Sequence, residues 1–156
     1  MKKRTSGFTL VEILIVVIIL GILAAIVIPQ FTDASEEARE STLASNLQVL
    51  RSQVGLYKIQ HRDNYPDSTS SDTFEATLVN KTLEDGTVDA AGDFGPYMQQ
   101  VPLNPFTDST NPLFEIVDGI AGALDGSTHW TFDVATGAIT ANDGGASPDG
   151  TPHVDL

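Results

Sequence analysis

The chain has 156 residues and a formal net charge of −13, and it contains no cysteine. The missing cysteines exclude disulfide bonds and thiolate metal sites, and an acidic surface repels phosphate backbones, so direct nucleic acid binding is not expected. A chain of this length accommodates one domain together with an anchor.

The first feature along the chain is a basic cluster followed by a long apolar segment. Lys2, Lys3 and Arg4 precede the range 13–31, which carries no formal charge. At roughly 1.5 Å per residue these residues nearly cover a hydrocarbon core of about 30 Å, which predicts a transmembrane helix. The alternatives are a buried core helix, which is rarely apolar on every side, and a secretory signal, which needs small residues at its cleavage site.

A contiguous motif from Lys2 to Glu12 combines the basic leader with Gly7, Phe8 and an acid. This motif resembles the leader and cleavage site of type IV pilins and of the pseudopilins of type II secretion. In that family a membrane peptidase cuts before the apolar segment and methylates the new N-terminus. The resemblance implies a cleaved leader at 1–7, a cut between Gly7 and Phe8, and an N-methylated Phe8.

Glu12 is an isolated acid near the start of the apolar segment. A lone carboxylate is costly in hydrocarbon, but cleavage would create a cationic amine on Phe8 one helical turn away. Between staggered chains the acid and the amine can offset each other's desolvation. The resemblance implies that Glu12 sets the axial register of subunits that enter a filament.

Gly21 and Pro29 interrupt the transmembrane half of the helix, which is predicted at 8–31. Proline lacks a backbone donor and clashes with the carbonyl four residues earlier. The resemblance implies that the stretch between these two residues loses helicity in an assembled filament. A simple kink in a membrane helix is the alternative.

The segment 32–62 is predicted to continue the helix as an amphipathic half. Asp33 and Glu36 indicate a capping box that restarts the helix. One apolar stripe is predicted to pack on the domain's own sheet and comprises Leu43, Leu47, Leu50, Val54 and Tyr57. A second apolar set would face water in a monomer and neighbouring subunits in a filament, and it comprises Val49, Leu56 and Ile59.

The segment 63–112 is predicted to be a variable loop region with one short helix at about 74–81, capped by Asp72 and Glu75. Its second half carries a spaced motif made up of Tyr97, Pro102, Asn104, Pro105 and Phe106. This motif resembles a block of the major pseudopilin of type II secretion. We expect it to be scaffold, with the prolines shaping an extended crossing and the two aromatic side chains buried as anchors.

Three β-rich segments follow at 113–117, 129–134 and 138–141, with a hairpin turn between the last two. Alternation predicts that Trp130, Phe132 and Val134 face the helix stripe. The Gly- and Asp-rich range 142–156 is predicted to be a flexible acidic tail. The fold class is therefore predicted to be α+β and type IV pilin-like, with a long N-terminal helix packed on a small antiparallel sheet at 113–141.

Asp118, Asp125 and Ser127 lie in the loop between the first two predicted strands. Oxygen ligands at Gly-rich spacing suit Ca²⁺, and the resemblance implies a calcium site in the loop before a C-terminal tryptophan, here Trp130. Turn aspartates without metal are the alternative, and the Trp-Gly-Asn of the family is absent. No other cofactor is expected.

The three histidines, His61, His129 and His153, have no ligand-like spacing. They are predicted to lie at the surface or in the core with their hydrogen bonds satisfied.

No set of acid, base and nucleophile can be assembled, so the sequence does not predict an enzyme. The resemblance implies a structural subunit of a type II secretion pseudopilus that supports protein export. Its expected partners are copies of itself, the prepilin peptidase and methyltransferase, the inner-membrane assembly platform, other pseudopilins and membrane lipid.

The expected topology is single-pass in the bacterial inner membrane, with a cytoplasmic N-terminus and a periplasmic or extracellular C-terminal domain. Two alternatives stay open. One is a type IV pilin of an adhesion, motility or DNA-uptake filament. The other is a scarce, membrane-anchored tip or adhesin module.

Overall fold

The structure is a computed structural model that describes residues 7–119 and 124–156. The chain divides into two units, Met1–Ala38 and Arg39–Leu156. The elements in chain order are α1 (Leu10–Gln60), α2 (Ser71–Val79), β1 (Phe114–Val117), β2 (Trp130–Asp133), β3 (Ile139–Ala141) and a 3₁₀ helix (His153–Asp155).

Helix α1 is continuous from Leu10 to Gln60 and contains Pro29 in its interior. The predicted restart at Asp33 and Glu36 is therefore wrong, because both residues lie within the helix. Backbone amides inside a helix already donate to the carbonyls four residues earlier, so no free donors remain for a capping box. Gly21 is helical as well, and loss of helicity in a filament stays a prediction.

The second unit has its core against one face of α1. The predicted stripe is confirmed, because the side chains from this helix that are buried are Leu43, Leu47, Leu50, Val54 and Tyr57. The second apolar set is exposed as predicted, with Val49, Leu56 and Ile59 at 45%, 42% and 78% of their maximal accessibility. The spacing of three and four residues thus places the two faces correctly.

The sheet has the order β1-β2-β3, and its β2–β3 pair is antiparallel. The β1–β2 pair is parallel, with Phe114 opposite Trp130 and Val117 opposite Asp133, so the prediction of a wholly antiparallel sheet is wrong at this pair. The connection at 118–129 is long enough for the crossover that parallel strands need. The α+β fold class, with a long helix and a small sheet, is confirmed.

The tight β2–β3 turn depends on Gly137, which has a φ of 75°. A Cβ atom there would lie 2.1 Å from the Tyr65 hydroxyl oxygen, so only glycine fits beneath that ring. The Tyr65 hydroxyl donates to the Thr136 carbonyl at 3.0 Å. This contact joins the loop after α1 to the hairpin.

The centre of the core is aromatic. The Phe74 ring lies 4.6 Å from that of Phe114 and 4.5 Å from that of Phe132. Trp130 is fully buried, and its indole Nε1 donates to the Pro102 carbonyl at 2.8 Å. Because a buried indole N–H needs a partner, this bond secures the segment that precedes β1.

Helix α2 begins earlier than predicted. Its N-cap is Ser70, which forms a capping box with Thr73, so the predicted cap of Asp72 and Glu75 is wrong. Both hydroxyl side chains satisfy backbone donors at the first turn, a pairing that serine and threonine provide as well as acids do.

The range 142–156, predicted to be a flexible tail, is instead part of the packed second unit. His153 is 2% exposed, and Ala146 pairs with Pro152 in an isolated bridge. Arg51 donates from Nη1 to the Leu156 backbone oxygen at 2.7 Å and from Nε and Nη2 to the Ile139 carbonyl. The Gly- and Asp-rich segment forms turns here, and these contacts, which are exposed or partly buried, hold the turns in place.

Candidate functional site

The predicted processing site lies directly before α1. Gly7 and Phe8 precede the helix, and Phe8 is 80% exposed. A Cβ atom at Gly7 would meet nothing within 4 Å. Among the described residues nothing crowds this segment, which is compatible with the predicted cleavage between Gly7 and Phe8.

Glu12 closes the first turn of α1 through a capping box with Thr9. The Thr9 amide and hydroxyl both donate to Glu12 Oε2 at 2.8 Å, and the Glu12 amide donates to the Thr9 hydroxyl oxygen at 3.2 Å. The spacing Thr-x-x-Glu is a capping signal that can be read from the sequence. The predicted intermolecular role of Glu12 did not include this local one. The other oxygen, Oε1, accepts no hydrogen bond from residues that the structure describes.

The first half of α1 exposes a continuous apolar surface. Every large apolar side chain from Phe8 to Phe31 is at least 41% exposed. Among the described residues, one helix is long and apolar enough to cross a membrane, and it is this one. Apolar surface of this extent marks contact with lipid or with other proteins.

The three predicted calcium ligands lie on both sides of residues 120–123, which are outside the described ranges. Asp125 Oδ1 accepts the Ser127 amide at 2.9 Å, and hydrogen bonds from Ser127 lower the pKa of Asp125. Two carboxylates and a hydroxyl are hard oxygen donors, but Ca²⁺ takes six to eight ligands. In the described parts of the chain no three His, Asp or Glu side chains form a group that could hold a metal ion. The calcium site therefore stays a prediction.

The motif at 97–106 forms scaffold contacts. The Tyr97 hydroxyl donates to Gln60 Oε1 at 2.8 Å, and the Phe106 ring lies 4.6 Å from the His153 ring. Both aromatic side chains are half-buried against the core. Asn104 is 1% exposed, and its Nδ2 donates to Asp143 Oδ2 at 2.7 Å and to the His129 carbonyl at 3.3 Å.

A buried polar network, which the sequence analysis did not identify, extends from Asn104 through Asp143. His153 Nδ1 lies 2.7 Å from Asp143 Oδ1, and His153 Nε2 lies 2.7 Å from Glu40 Oε1. Ser147 donates its hydroxyl to Glu40 Oε2 at 2.8 Å. We call Glu40, Asp143 and His153 the histidine triad. It joins helix α1 to the range 142–156.

Protonated His153 is the state that fits the triad, since each ring nitrogen faces a carboxylate. Burial alone lowers the pKa of His153, but hydrogen bonds and charges from Asp143 and Glu40 outweigh burial and raise its pKa above the ordinary value. The arrangement therefore favours a cationic His153 between the carboxyl groups of Asp143 and Glu40.

The other two histidines are core residues. His61 Nδ1 lies 2.9 Å from the Tyr57 carbonyl, and its Nε2 lies 2.9 Å from the Thr82 hydroxyl. His129 Nδ1 accepts the Asn104 amide at 3.1 Å, and burial lowers the pKa of His129. His61 is therefore a satisfied core residue, as predicted. His129 is buried but only partly satisfied, because its Nε2 has no partner among the residues that the structure describes.

Known proteins resemble this chain both in its N-terminal motif and over most of its length. A family model described as the prokaryotic N-terminal methylation motif matches residues 2–28. The type II secretion system core protein G of Aeromonas hydrophila is 33% identical over 124 residues, covering 80% of this chain and 81% of that protein. The protein of the same name from Pseudomonas aeruginosa is 31% identical, covering 80% and 82%.

A fimbrial protein of Pseudomonas aeruginosa is 34% identical over 85 residues, or 54% of this chain and 55% of that protein. No solved structure matches the chain. The similarity to the core protein G relatives extends over most of both chains, whereas the similarity to the fimbrial protein covers about half of each. The chain therefore belongs to the type II secretion system core protein G family, the major pseudopilins.

Proposed function

We propose that this chain is the repeating subunit of a type II secretion pseudopilus, a helical filament that supports protein export. The observation that carries the proposal is helix α1, whose residues 10–31 expose apolar side chains and whose later residues form the buried stripe of the Arg39–Leu156 unit. The exposed side chains can contact lipid before assembly and neighbouring helices within the filament. The buried stripe forms part of the core that stabilises the domain of each subunit. Its role is structural and not enzymatic.

The subunit enters the membrane as a single-pass precursor with a cytoplasmic N-terminus and an exported domain. The basic residues Lys2, Lys3 and Arg4 support this orientation. The prepilin peptidase and methyltransferase then converts the precursor, and an inner-membrane assembly platform adds it to copies of itself and to other pseudopilins. Glu12 supplies the register, and the stretch between Gly21 and Pro29 adapts to the packed filament.

Deletion of the gene tests this function against the second candidate, a surface pilin, which the fimbrial similarity favours. A pseudopilus subunit is required for export, so extracellular enzymes are expected to accumulate in the periplasm of the deletion strain. Normal export together with loss of surface pili would identify a pilin instead. Abundance separates both from a tip adhesin, because a repeating subunit is plentiful and a tip protein is scarce.

Processing gives a prediction for mass spectrometry. In cells that carry the peptidase, the N-terminal peptide is expected to begin at Phe8 and to be one methyl group heavier than its sequence. Gly7→Val is expected to leave nearly all of the chain as precursor. A Cβ at this position fits within the chain itself, so the expected block arises from the branched side chain beside the scissile bond in the active site of the peptidase. Ser6→Ala is the matched control and should be processed normally. Normal cleavage of the Gly7→Val chain would contradict the assigned site.

Calcium binding by Asp118, Asp125 and Ser127 is a second measurable part of the proposal. Calcium chloride added to the detergent-solubilised chain is expected to release or absorb heat in calorimetry and to raise Tm by about 5 °C at saturating concentration. Asp125→Asn should abolish both effects. Asp149→Asn is the matched control, since Asp149 Oδ1 accepts the Thr151 amide at 2.9 Å in an equivalent turn. No heat and no thermal shift with the unmodified chain would exclude the site.

A further inference from the structure

A cavity of about 220 Å³ lies between the end of α1 and two loops of the second unit. We call it the Tyr57 pocket, and its walls comprise Tyr57, His61, Asn64, Tyr65, Asp67, Asp85, Gly86 and Thr87. None of these residues belongs to the processing site, the histidine triad or the predicted calcium loop. The pocket is therefore separate from these three sites, although Tyr57 also belongs to the buried stripe of α1.

The hydroxyl of Tyr57 is a polar group without a partner in this pocket. The Tyr57 side chain is 1% exposed, and within 7–119 and 124–156 its hydroxyl makes no hydrogen bond. Among the described residues, the buried side-chain atoms that lack a partner are His129 Nε2 and Asn142 Oδ1, so the Tyr57 oxygen is not sealed in the core. Its free hydrogen-bonding capacity is open to the pocket that Tyr57 lines, where a ligand could use it. Gly86 has a φ of 90°, and a Cβ atom there would lie 2.7 Å from the Tyr57 oxygen. Glycine thus keeps the space in front of the hydroxyl open.

The charge of the pocket is negative. Asp67 Oδ1 accepts the Thr69 amide at 3.0 Å, and Asp85 Oδ1 accepts the Thr87 amide at 2.9 Å. In the described residues neither carboxylate forms an ion pair with a lysine or arginine. Burial, Tyr97 and these two aspartates raise the pKa of Tyr57 to about 12, so the phenol stays neutral at physiological pH. Two anions and a neutral phenol together attract a cation.

An ammonium already lies at the edge of the pocket. Lys58 Nζ donates to the Tyr65 hydroxyl at 3.0 Å and lies 4.3 Å from the centre of the Tyr65 ring. That ring is a wall of the Tyr57 pocket. The contact shows that the aromatic wall accepts an alkylammonium group by hydrogen bonding and by cation–π attraction. Lys58 is engaged there by Tyr65 and leaves the two aspartates unpaired.

We propose that the Tyr57 pocket binds a primary ammonium group on an unbranched alkyl stem, as the lysine side chain of another protein chain presents it. The three N–H donors of the ammonium match three acceptors, namely the carboxylates of Asp67 and Asp85 and the phenol oxygen of Tyr57. The volume admits the head group with part of its stem. A directly coordinated divalent metal suits the pocket less well, because no three His, Asp or Glu side chains of the described chain are grouped to hold one.

The test is an NMR titration of the full-length chain in detergent micelles, labelled with ¹³C at the tyrosine ring carbons. The ligand is Nα-acetyl-lysine amide, and the control ligand is Nα,Nε-diacetyl-lysine amide at the same ionic strength. The lysine derivative is expected to shift the Tyr57 resonances in a saturable way, and the diacetyl compound should leave them unchanged. Tyr57→Phe assigns the resonances.

Variants tie the binding to the pocket. Asp67→Asn with Asp85→Asn keeps at each position a side-chain oxygen that can accept the Thr69 or Thr87 amide, but it removes both charges. This double variant is expected to weaken binding at least tenfold. Gly86→Ala should block the hydroxyl and also weaken binding. Asp93→Asn, on the same loop region but outside the pocket, is the matched control and should bind normally. Equal shifts with the two ligands, or unchanged binding in the double variant, would overturn the proposal.

Discussion

Glu12→Gln is expected to abolish filament assembly while leaving membrane insertion and cleavage intact. Glutamine keeps an oxygen that can accept from Thr9, so the capping box of α1 is preserved. It removes the negative charge that would pair with the methylated amine of Phe8 on a neighbouring chain. The amine then has no counterion when it leaves water, and desolvation of an unpaired cation opposes entry into the filament.

Two further variants separate the local role of Glu12, which is capping its own helix, from its proposed role as the partner of the Phe8 amine on a neighbouring chain. Thr9→Ala removes the hydroxyl that both donates to Glu12 Oε2 and accepts the Glu12 amide, yet it keeps the charge. We expect Thr9→Ala to retain filaments with at most a moderate reduction in yield. Glu12→Ala removes the cap and the charge together and is expected to behave like Glu12→Gln. Sheared filaments, quantified against total cleaved subunit, provide the measurement.

A purely local role for Glu12 predicts the opposite assembly results for Glu12→Gln and Thr9→Ala. If this acid serves only to close the first turn of α1, Glu12→Gln should assemble normally and Thr9→Ala should be defective. The two roles are compatible, because one carboxylate can cap its own helix through Oε2 and still offer Oε1 to a second donor.

The parts of the fold that follow a simple period could be predicted from the sequence. The buried stripe of α1 and the positions of the three strands depend on repeats of 3.6 and 2 residues, which are local properties. The start of α2 was misplaced because Ser70 and Thr73 formed the capping box in competition with the neighbouring acids. The direction of β1 relative to β2 was missed because strand polarity depends on the path of a long connection, which periodicity does not encode.

The candidate sites likewise divide into those with a local sequence signal and those that only the fold brings together. The processing motif is contiguous, so its residues could be named in advance, and the capping partner of Glu12 was readable from the Thr-x-x-Glu spacing. The histidine triad was not predictable, because Glu40 and His153 are separated by most of the domain and neither has a local signal. A Gly- and Asp-rich composition predicts loop, but composition alone does not show that a loop is anchored by buried charge.

His153→Gln is expected to lower the free energy of unfolding of the Arg39–Leu156 unit by about 3 kcal/mol, because it leaves two carboxylates facing a neutral group in a buried site. The side chains of His153 and Asp143 are each 3% exposed, and that of Glu40 is 15% exposed. The corresponding fall in Tm is roughly 6–12 °C. Fluorescence of Trp130, the single tryptophan, reports the unfolding.

Glu84→Gln is the matched control for this variant. The Arg62–Glu84 pair has an N–O distance of 2.7 Å, like the contacts of the triad, but its side chains are 72% and 55% exposed. Exposed ion pairs contribute little, so Tm is expected to stay within about 2 °C. Equal losses in both variants would indicate that the triad is no more than a surface contact.

The pH dependence of unfolding provides the sharper test. The pKa of folded His153 is raised, so the triad contributes fully below the unfolded value of about 6.5, and its contribution is lost as pH rises through the folded pKa. His129 acts in the other direction, since burial lowers its pKa and its contribution changes only below about 6.5. Between pH 6.5 and the folded pKa, the unmodified chain should therefore lose stability with rising pH while His153→Gln stays flat. A parallel decline in both chains would show that His153 is not the cation of this cluster.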